Sequence, residues 1–271
     1  MTISIDERKP IDTHPYLEVG RGQSKHGEPI ILHQELPIYL GTFEHEKTGL
    51  DFLIICSDLQ GVVEEAGAYQ LLGEALPEFL KLLIEIELSE GEKPRIGVLL
   101  CGDLFTSLDK RGSSGDVRVV WQAFKAQFDW VIGVAGNQDR FGTELEKAAF
   151  ASNEGISLLH KDIQETDRLR IGGISGIIGR GDKVNRVDEA EYLDTLRYLL
   201  KQDLDLILLH ETPDHPELGF IGNERIRAVL EKGRKANICC GHCHWDRSLV
   251  ELDNGSCVIN VDSKVVILKK V

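Results

Sequence analysis

The chain has 271 residues, of which 45 are acidic and 31 are basic, so its formal net charge at neutral pH is −14. This charge excludes a surface built for non-specific nucleic-acid binding, because such binding requires clustered lysine and arginine. The length is typical of one large domain with a sizeable buried core.

The N-terminal region carries no targeting or membrane signal. Residues 1–10 lack the apolar segment of a signal peptide, and no run in the chain reaches the roughly 18 apolar residues that a membrane span needs. The sequence therefore predicts a soluble, cytoplasmic protein without a membrane partner. Residues 1–50 contain four prolines, and we interpret them as an irregular or small strand-rich extension that packs on a domain formed by residues 51–271.

From residue 51 onward, short apolar runs alternate with helix-like segments. The apolar runs are residues 52–56, 98–101, 131–135, 206–209 and 237–240. Such β-branched runs predict buried strands. The helix-like segments are residues 64–87, 116–127, 143–150, 188–201 and 223–232. This alternation predicts an α/β fold, and residues 249–268 predict a hairpin followed by a further strand.

Each apolar run is followed closely by side chains that can bind a metal ion. They are Asp58, Gln60, Asp103, Asn137, His210, His242 and His244. In open α/β sheets ligands gather beyond the carboxyl ends of the strands, so we expect these side chains at one rim. Carboxylate, amide and imidazole donors suit manganese, magnesium, iron or zinc, and seven donors exceed the needs of one tetrahedral ion. The sequence therefore predicts two divalent metal ions.

The order of these motifs resembles that of the calcineurin-like metallophosphoesterase superfamily over about residues 51–265. The matching motifs are Asp58-Leu59-Gln60, Gly102-Asp103, Gly136-Asn137-Gln138-Asp139, His210 and Gly241-His242-Cys243-His244. The resemblance implies a four-layer α-β-β-α sandwich of two mixed sheets flanked by helices. It also implies hydrolysis of a phosphodiester, phosphoanhydride or phosphomonoester by a hydroxide that bridges the two ions.

The resemblance also implies a role for each matching residue. One ion would be held by Asp58, Gln60, Asp103 and His244, and the other by Asp103, Asn137, His210 and His242, with Asp103 as the bridge. Asn137, Gln138 and Asp139 would be catalytic. The substrate would be a small phosphorylated molecule such as a nucleotide, with Arg140, Arg180 and Arg186 as candidates for steering its phosphate, because a guanidinium matches phosphate geometry.

Two positions depart from the family pattern, since Gln60 and Gln138 stand where histidine is usual. An amide oxygen from Gln60 is a harder ligand than an imidazole nitrogen, so this substitution favours manganese. Asp-x-Gln is also similar to the first motif of the manganese-dependent ADP-ribose and CDP-alcohol pyrophosphatases, which points to nucleotide phosphoanhydrides. Gln138 cannot deliver a proton, and general acid catalysis contributes roughly 10²–10⁴ in rate. The alternative function is therefore a catalytically weak or inactive interaction scaffold, similar to the retromer subunit that keeps this fold.

Two local patterns compete with the metal interpretation. His160 also follows an apolar run, but the family order favours His210. Residues 240–244 fit a Cys-x-x-Cys redox motif and a haem-attachment motif. Neither motif finds its usual context here, since the residues that follow read as strands and no export signal precedes them. We therefore interpret the cysteines as structural.

Overall fold

The computed structural model describes residues 1–23, 27–65, 67–89 and 93–271. Its strands are β1 (Thr2–Ile5), β2 (Asp12–Gln23), β3 (Pro29–Glu44), β4 (Phe52–Ser57), β5 (Val62–Glu65), β6 (Ala68–Leu71), β7 (Ile96–Leu100), β8 (Gly115–Asp116), β9 (Trp130–Gly133), β10 (Asp139–Arg140), β11 (Ile156–Leu158), β12 (Asp162–Thr166), β13 (Leu169–Ile174), β14 (Ile177–Ile178), β15 (Arg186–Val187), β16 (Leu206–Leu209), β17 (Asn237–Cys240), β18 (Leu249–Glu251), β19 (Cys257–Asn260) and β20 (Lys264–Lys270). The α-helices are α1 (Leu72–Leu83), α2 (Arg118–Gln127), α3 (Glu144–Ala151), α4 (Glu189–Leu199) and α5 (Glu224–Lys232).

Two mixed sheets form the centre of the fold. The larger has the strand order β11-β9-β7-β4-β20-β3-β2-β5-β6, with β1 paired to β3. The smaller has the order β12-β13-β16-β17-β19-β18. Its four central strands, β13, β16, β17 and β19, are parallel to one another, and the edge strands β12 and β18 are antiparallel to them. Two sheets accompanied by helices make this a mixed α/β fold, as the alternation of segments predicts.

The apolar side chains of the sheets divide between three cores. On β4, Leu53 and Ile55 join a core that also contains Leu208 of β16 in the smaller sheet. Ile54 points the other way, into a core that includes Trp121 of α2. Successive side chains of a strand face opposite sides of the sheet, so a strand apolar at every position is buried on both faces. A third core lies between the smaller sheet and helices α4 and α5.

The helices match their predicted positions except at the start of α1. Residues 62–71, part of which was expected to be helical, form the hairpin of β5 and β6, and the helix begins only at Leu72. Gly67, which precedes β6, has a positive φ of 80°, a conformation that suits the turn of a hairpin and not the interior of a helix. Helix α3 begins with a capping box between Thr143 and Glu146. No helix of the described residues is both long enough and apolar enough to cross a membrane.

Residues 1–50 are not irregular in the structure. Strands β2 and β3 form a long antiparallel hairpin, and β3 pairs in parallel with β20, which in turn pairs with β4. The segment is therefore integrated into the larger sheet. Prolines interrupt the apolar alternation from which such strands are predicted. Pro15 and Pro37 nevertheless pair with residues of the opposite strand in the hairpin.

Candidate metal centre

The predicted ligands follow the carboxyl ends of parallel strands in both sheets. Strands β4, β7 and β9 run parallel to one another, and the loops that follow them carry Asp58, Asp103 and Asn137. Strands β16 and β17 are parallel in the smaller sheet and are followed by His210 and His242. The two sheets face each other across a shared core, so both sets of loops meet at one edge.

Three of the predicted ligands come together in one cluster. Ligand atoms of Asp103, His210 and His242 all lie within 4.8 Å of one another. The rings of the two histidines have centroids 5.0 Å apart. Asp103 is 4 % exposed and His210 is fully buried. A buried carboxylate flanked by two imidazoles is a donor set suited to a transition metal or zinc ion.

The carboxylate of Asp103 is at the centre of this cluster. Its Oδ1 accepts a hydrogen bond from the backbone N–H of Gln138 at 2.7 Å, and its Oδ2 accepts one from Gln60 Nε2 at 3.3 Å. Burial opposes ionisation, but His210 and the N–H of Gln138 outweigh it and lower the pKa of Asp103. The carboxylate is therefore charged at neutral pH, as a metal ligand must be.

His210 is held in a fixed orientation by a backbone carbonyl. Its Nδ1 lies 2.8 Å from the carbonyl oxygen of Cys101, a contact that directs Nε2 towards Asp103 Oδ2 at 3.5 Å. Burial lowers the pKa of His210, but the carboxylates of Asp103 and Asp58 overcome that effect and raise it to about 10. A hydrogen bond from one ring nitrogen to a carbonyl is the usual way to orient the other nitrogen towards a metal.

Two buried polar atoms at the cluster lack hydrogen-bond partners. Within the described part of the chain, neither Asn137 Oδ1 nor His210 Nε2 makes a hydrogen bond, although His210 Nε2 lies 3.5 Å from Asp103 Oδ2. Buried polar atoms are usually satisfied, because leaving one unpaired costs roughly 1–3 kcal/mol. Both are atoms that the sequence predicts as metal ligands, so a bound cation fits the arrangement found here.

Asp58 lies beside the cluster and is surrounded by other acids. Its Oδ2 accepts hydrogen bonds from Ser57 Oγ at 2.6 Å and from the backbone N–H of His242 at 2.9 Å. Burial raises its pKa strongly, and the nearby carboxylates of Asp262 and Asp103 raise it further. Asp262, 8 % exposed, is an acid that the sequence did not single out. A cation would offset the repulsion between these acids.

Gln60 and His244 are less closely associated with the cluster. The His244 side chain is 57 % exposed, and its Nδ1 lies 3.3 Å from Asp262 Oδ1. Gln60 presents its amide nitrogen to Asp103. Both line the same pocket as Asp103 and His242 but lie outside the three-residue cluster. His160, the alternative to His210, lines a different pocket.

Three of the predicted ligands have left-handed backbone conformations. Asp58, Asp103 and His242 all have positive φ angles, of 53°, 52° and 69°. Such conformations cost free energy for residues with a side chain and concentrate at functional sites. The glycines of the motifs make room for the ligands: a Cβ at Gly136 would lie 2.1 Å from Asp103 Oδ1, and one at Gly241 would lie 2.2 Å from Asp58 Oδ2.

Asp139, which is predicted to be catalytic, is enclosed by backbone donors. It is fully buried and accepts hydrogen bonds from the N–H groups of Asp103, Leu104 and Gly136, at 3.0, 2.8 and 2.8 Å. Burial and Asp103 raise its pKa to about 6, against the effect of these donors. Both oxygens are occupied by backbone donors of the loops that carry the predicted ligands. Asn185 holds the same loop, donating to the carbonyls of Gly136 and Asp139 at 2.8 Å each.

None of the arginines predicted to steer a substrate phosphate lines the pocket that contains Asp58, Asp103 and His242. Arg140 donates to the backbone carbonyl of Asp139 at 2.9 Å. Arg180 is largely exposed and pairs with Asp182. Arg186 lines the pocket that contains His160. The sequence does not show where the side chain of a loop arginine points, because tertiary contacts set its direction.

The pocket at the ligands, called here the metal-centre pocket, has a volume of about 480 Å³ and is lined by Tyr16, Glu18, Val19, Arg21, Asp58, Gln60, Asp103, Thr106, Arg111, Gly112, Asn137, Gln138, Ile221, His242, Cys243, His244, Asp262 and Ser263. Part of its wall was not predicted, namely the contribution of β2. No local motif marks these residues, because the pairing of β2 in the sheet brings them to the site.

The cysteines near the histidines are poorly suited to thiolate chemistry. Cys240 is fully buried, and burial raises its pKa to about 12. Burial also raises the pKa of Cys243 to about 11. Redox-active thiols have lowered pKa values. These environments support the structural interpretation of the cysteines.

No protein-family model matches the chain, and no curated protein matches its sequence. Similar solved structures include a phosphopantetheinyl hydrolase from Mycobacterium tuberculosis, with 13 % identity and a TM-score of 0.45 over 78 % of this chain and 89 % of that one. A NAD nucleotidase from Haemophilus influenzae has 15 % identity and a TM-score of 0.44 over 78 % of this chain and only 44 % of its own length. A protein of unknown function from Aquifex aeolicus has 17 % identity and a TM-score of 0.33 over 80 % and 95 % of the two chains. All three TM-scores are below 0.5, so these likenesses carry no argument about function, and a function must be argued from the site itself.

Proposed function

We propose that the chain is a metal-dependent phosphohydrolase. The observation that carries this proposal is the cluster of Asp103, His210 and His242 beside a pocket lined by further carboxylates. The unpartnered buried atoms Asn137 Oδ1 and His210 Nε2 support it. A divalent cation would satisfy both atoms and offset the burial of the carboxylates.

We further propose two ions, held as the family resemblance implies. Asp103, Asn137, His210 and His242 would hold one, and Asp58, Gln60, Asp103 and His244 the other. Asp262, next to His244, adds a carboxylate to the second set. Manganese fits such an oxygen-rich mixture of donors.

Bound ions would polarise a phosphoryl group and make water a stronger nucleophile at neutral pH. The protein's own contribution is to orient the substrate. Gln138 Oε1 accepts a hydrogen bond from Ser114 Oγ at 2.5 Å, which leaves the Gln138 NH₂ group to donate to a phosphoryl oxygen. Asp139 holds the loop that presents Gln138, through the backbone of Gly136.

The proposal extends to the architecture and the substrate. We propose that the two sheets and their helices form a four-layer α-β-β-α sandwich, with residues 51–271 as the phosphoesterase domain. The three cores, one between the sheets and one between each sheet and its helices, support this arrangement. The proposed substrate is a small phosphorylated molecule such as a nucleotide, since the pocket holds about 480 Å³.

Metal binding is the first test of this function. Adding Mn²⁺ to metal-free protein should raise the unfolding temperature, because a ligand at 100 times its Kd stabilises the folded state by about 2.7 kcal/mol. His242→Ala should lose most of this shift, whereas His160→Ala, at a histidine outside the metal-centre pocket, should keep it. Thermal melts and elemental analysis give the measurement. Wild-type protein that shows no shift and retains no metal would contradict the proposal.

An interaction scaffold is the second candidate, and the observation that favours it is Gln138. This side chain lines the pocket where the family has a proton donor, and its amide cannot supply a proton. The two candidates differ in whether metal-loaded protein hydrolyses phosphate esters at all. Aryl phosphate monoesters and diesters, assayed side by side, also distinguish between ester types.

Gln138→His should accelerate substrates with poor leaving groups by up to roughly 10²-fold, because an imidazole can protonate the leaving oxygen. Substrates with good leaving groups should change little, since they need no proton. Rates plotted against leaving-group pKa provide the measurement, and Ser114→Ala, which removes only the hydrogen bond to Gln138, is the matched control. If wild type and Gln138→His are both inert with full metal loading, the scaffold is the better description.

A further inference from the structure

Arg21 reaches the metal-centre pocket from a bulge in β2. Val19 pairs with Ile31 and Gln23 pairs with Pro29, so three residues of β2 lie opposite one residue of β3. A bulge of this kind bends a strand and redirects its side chains, and bulges are frequent next to active sites. The bulge therefore places Arg21 in the wall of the pocket.

The hairpin that carries Arg21 is fixed against a ligand-bearing loop. Tyr16 packs on Gly61, where a Cβ would lie 2.2 Å from the Tyr16 ring. Leu17 of the same strand pairs with Val62. The loop that carries Gln60 and the strand that carries Arg21 therefore form one unit, and the position of Arg21 relative to the ligands is set by the sheet.

Arg111 reaches the same pocket from the loop between β7 and β8. Within the loop, the backbone N–H of Ser107 donates to Ser113 Oγ at 2.8 Å. At its end, the backbone N–H of Gly115 donates to the carbonyl of Gln138 at 3.2 Å. The loop is therefore closed on itself and anchored to the motif that carries Gln138.

The two arginines join the metal-centre pocket to a neighbouring one. A second pocket of about 340 Å³ shares Arg21 and Arg111 and adds Lys110. The acids along the two pockets beside these cations are Glu18 and Asp109, and each already accepts a hydrogen bond from a neighbouring side chain. Neither arginine has an ion-pair partner among the described residues. Two exposed guanidinium groups that form no ion pair among the described residues, in a protein of net charge −14, can each donate hydrogen bonds to an anion.

We propose that Arg21 and Arg111 form a subsite for a second phosphate, so that the preferred substrate carries one phosphate at the metal ligands and another beside the two arginines. A phosphoanhydride carries two linked phosphates, one for each place, whereas a simple monoester has no group to place in the subsite. The inference rests on the proposed function for the role of the first phosphate. Binding to the arginines is a separate property and is testable by itself.

The test measures binding of inorganic pyrophosphate and of inorganic phosphate by calorimetry, with the full chain and a fixed excess of Mn²⁺. The double variant Arg21→Ala/Arg111→Ala should weaken pyrophosphate binding by roughly 10- to 100-fold, the range expected when hydrogen bonds to a charged group are lost. Phosphate binding should change less than about threefold, because phosphate needs only the metal ligands. Arg197→Ala on the exposed face of α4 is the matched control and should leave both affinities unchanged. Because every variant meets the same Mn²⁺ concentration, chelation by pyrophosphate cancels in the comparison.

The outcomes separate the subsite from the hydrolase. Selective loss of pyrophosphate affinity in the double variant supports the subsite, even if no phosphate ester is hydrolysed and the proposed function fails. Equal pyrophosphate affinity in wild type and double variant overturns the subsite, even if the wild type is an active phosphohydrolase. Equal losses for pyrophosphate and phosphate also overturn it, because the arginines would then act on the first phosphate.

Discussion

Replacing Asp103 with Asn should abolish hydrolysis and lower the affinity for both ions together. Asp103 belongs to the ligand cluster and also accepts hydrogen bonds from Gln60 and from the backbone of Gln138. An amide lacks the charge that a shared ligand supplies to two cations. The loss of metal affinity should exceed the roughly 10- to 100-fold that follows from changing residues behind the ligands. Elemental analysis and the Mn²⁺-dependent shift in unfolding temperature give the measurement.

The matched control is Asp253→Asn, which makes the same chemical change in the exposed turn between β18 and β19. This variant should bind metal and turn over substrate like the wild type. A tightly held ion that survives Asp103→Asn unchanged would exclude Asp103 as a bridge and reduce the site to one held by other residues.

Asp139→Ala should destabilise the fold by about 3 kcal/mol. The change leaves three buried backbone N–H groups without an acceptor, and each such group costs roughly 1–3 kcal/mol. Removing a negative charge near Asp103 offsets part of this loss, since the two carboxylates repel each other. Urea denaturation measures the change in the free energy of unfolding.

Asp139→Asn separates the hydrogen bonds from the charge. Its single amide oxygen can accept some of the three hydrogen bonds, so its stability should fall between those of the wild type and Asp139→Ala. Equal stability of Asp139→Ala and the wild type would mean that water replaces the carboxylate, and the positioning role of Asp139 would be wrong.

The residues of the central cluster could be predicted from the sequence because strand ends are local signals. Asp103 and His210 each follow a run of apolar residues that can only be a buried strand, and parallel strands deliver their ends to one edge. The sequence could not distinguish an exposed carboxylate from one enclosed by backbone donors, so the hydrogen bonds around Asp139 could not be predicted from it. The burial and hydrogen bonding of a side chain depend on which loops pack together in the fold, and a sequence motif does not contain this information.

The unpredicted wall of the pocket has a similar cause. Arg21 and Tyr16 reach the site through strand pairing between β2 and its neighbours, and Asp262 follows β19 near the far end of the sequence. Such non-local pairing leaves no periodic trace beside the residues concerned. Arg180, a candidate because a guanidinium matches phosphate geometry, lies outside the metal-centre pocket.

The position of β20 has a consequence for how the molecule folds. This strand lies in the middle of the larger sheet and pairs with β3 on one side and β4 on the other. Until residues 264–270 have left the ribosome, β3 and β4 each present an unpaired edge, and such edges promote aggregation. Pairing segments so distant in sequence also slows folding, because the entropic cost of closing the long loop arises before the stabilising contacts form. We therefore expect nascent chains to depend on protection by chaperones until β20 is inserted.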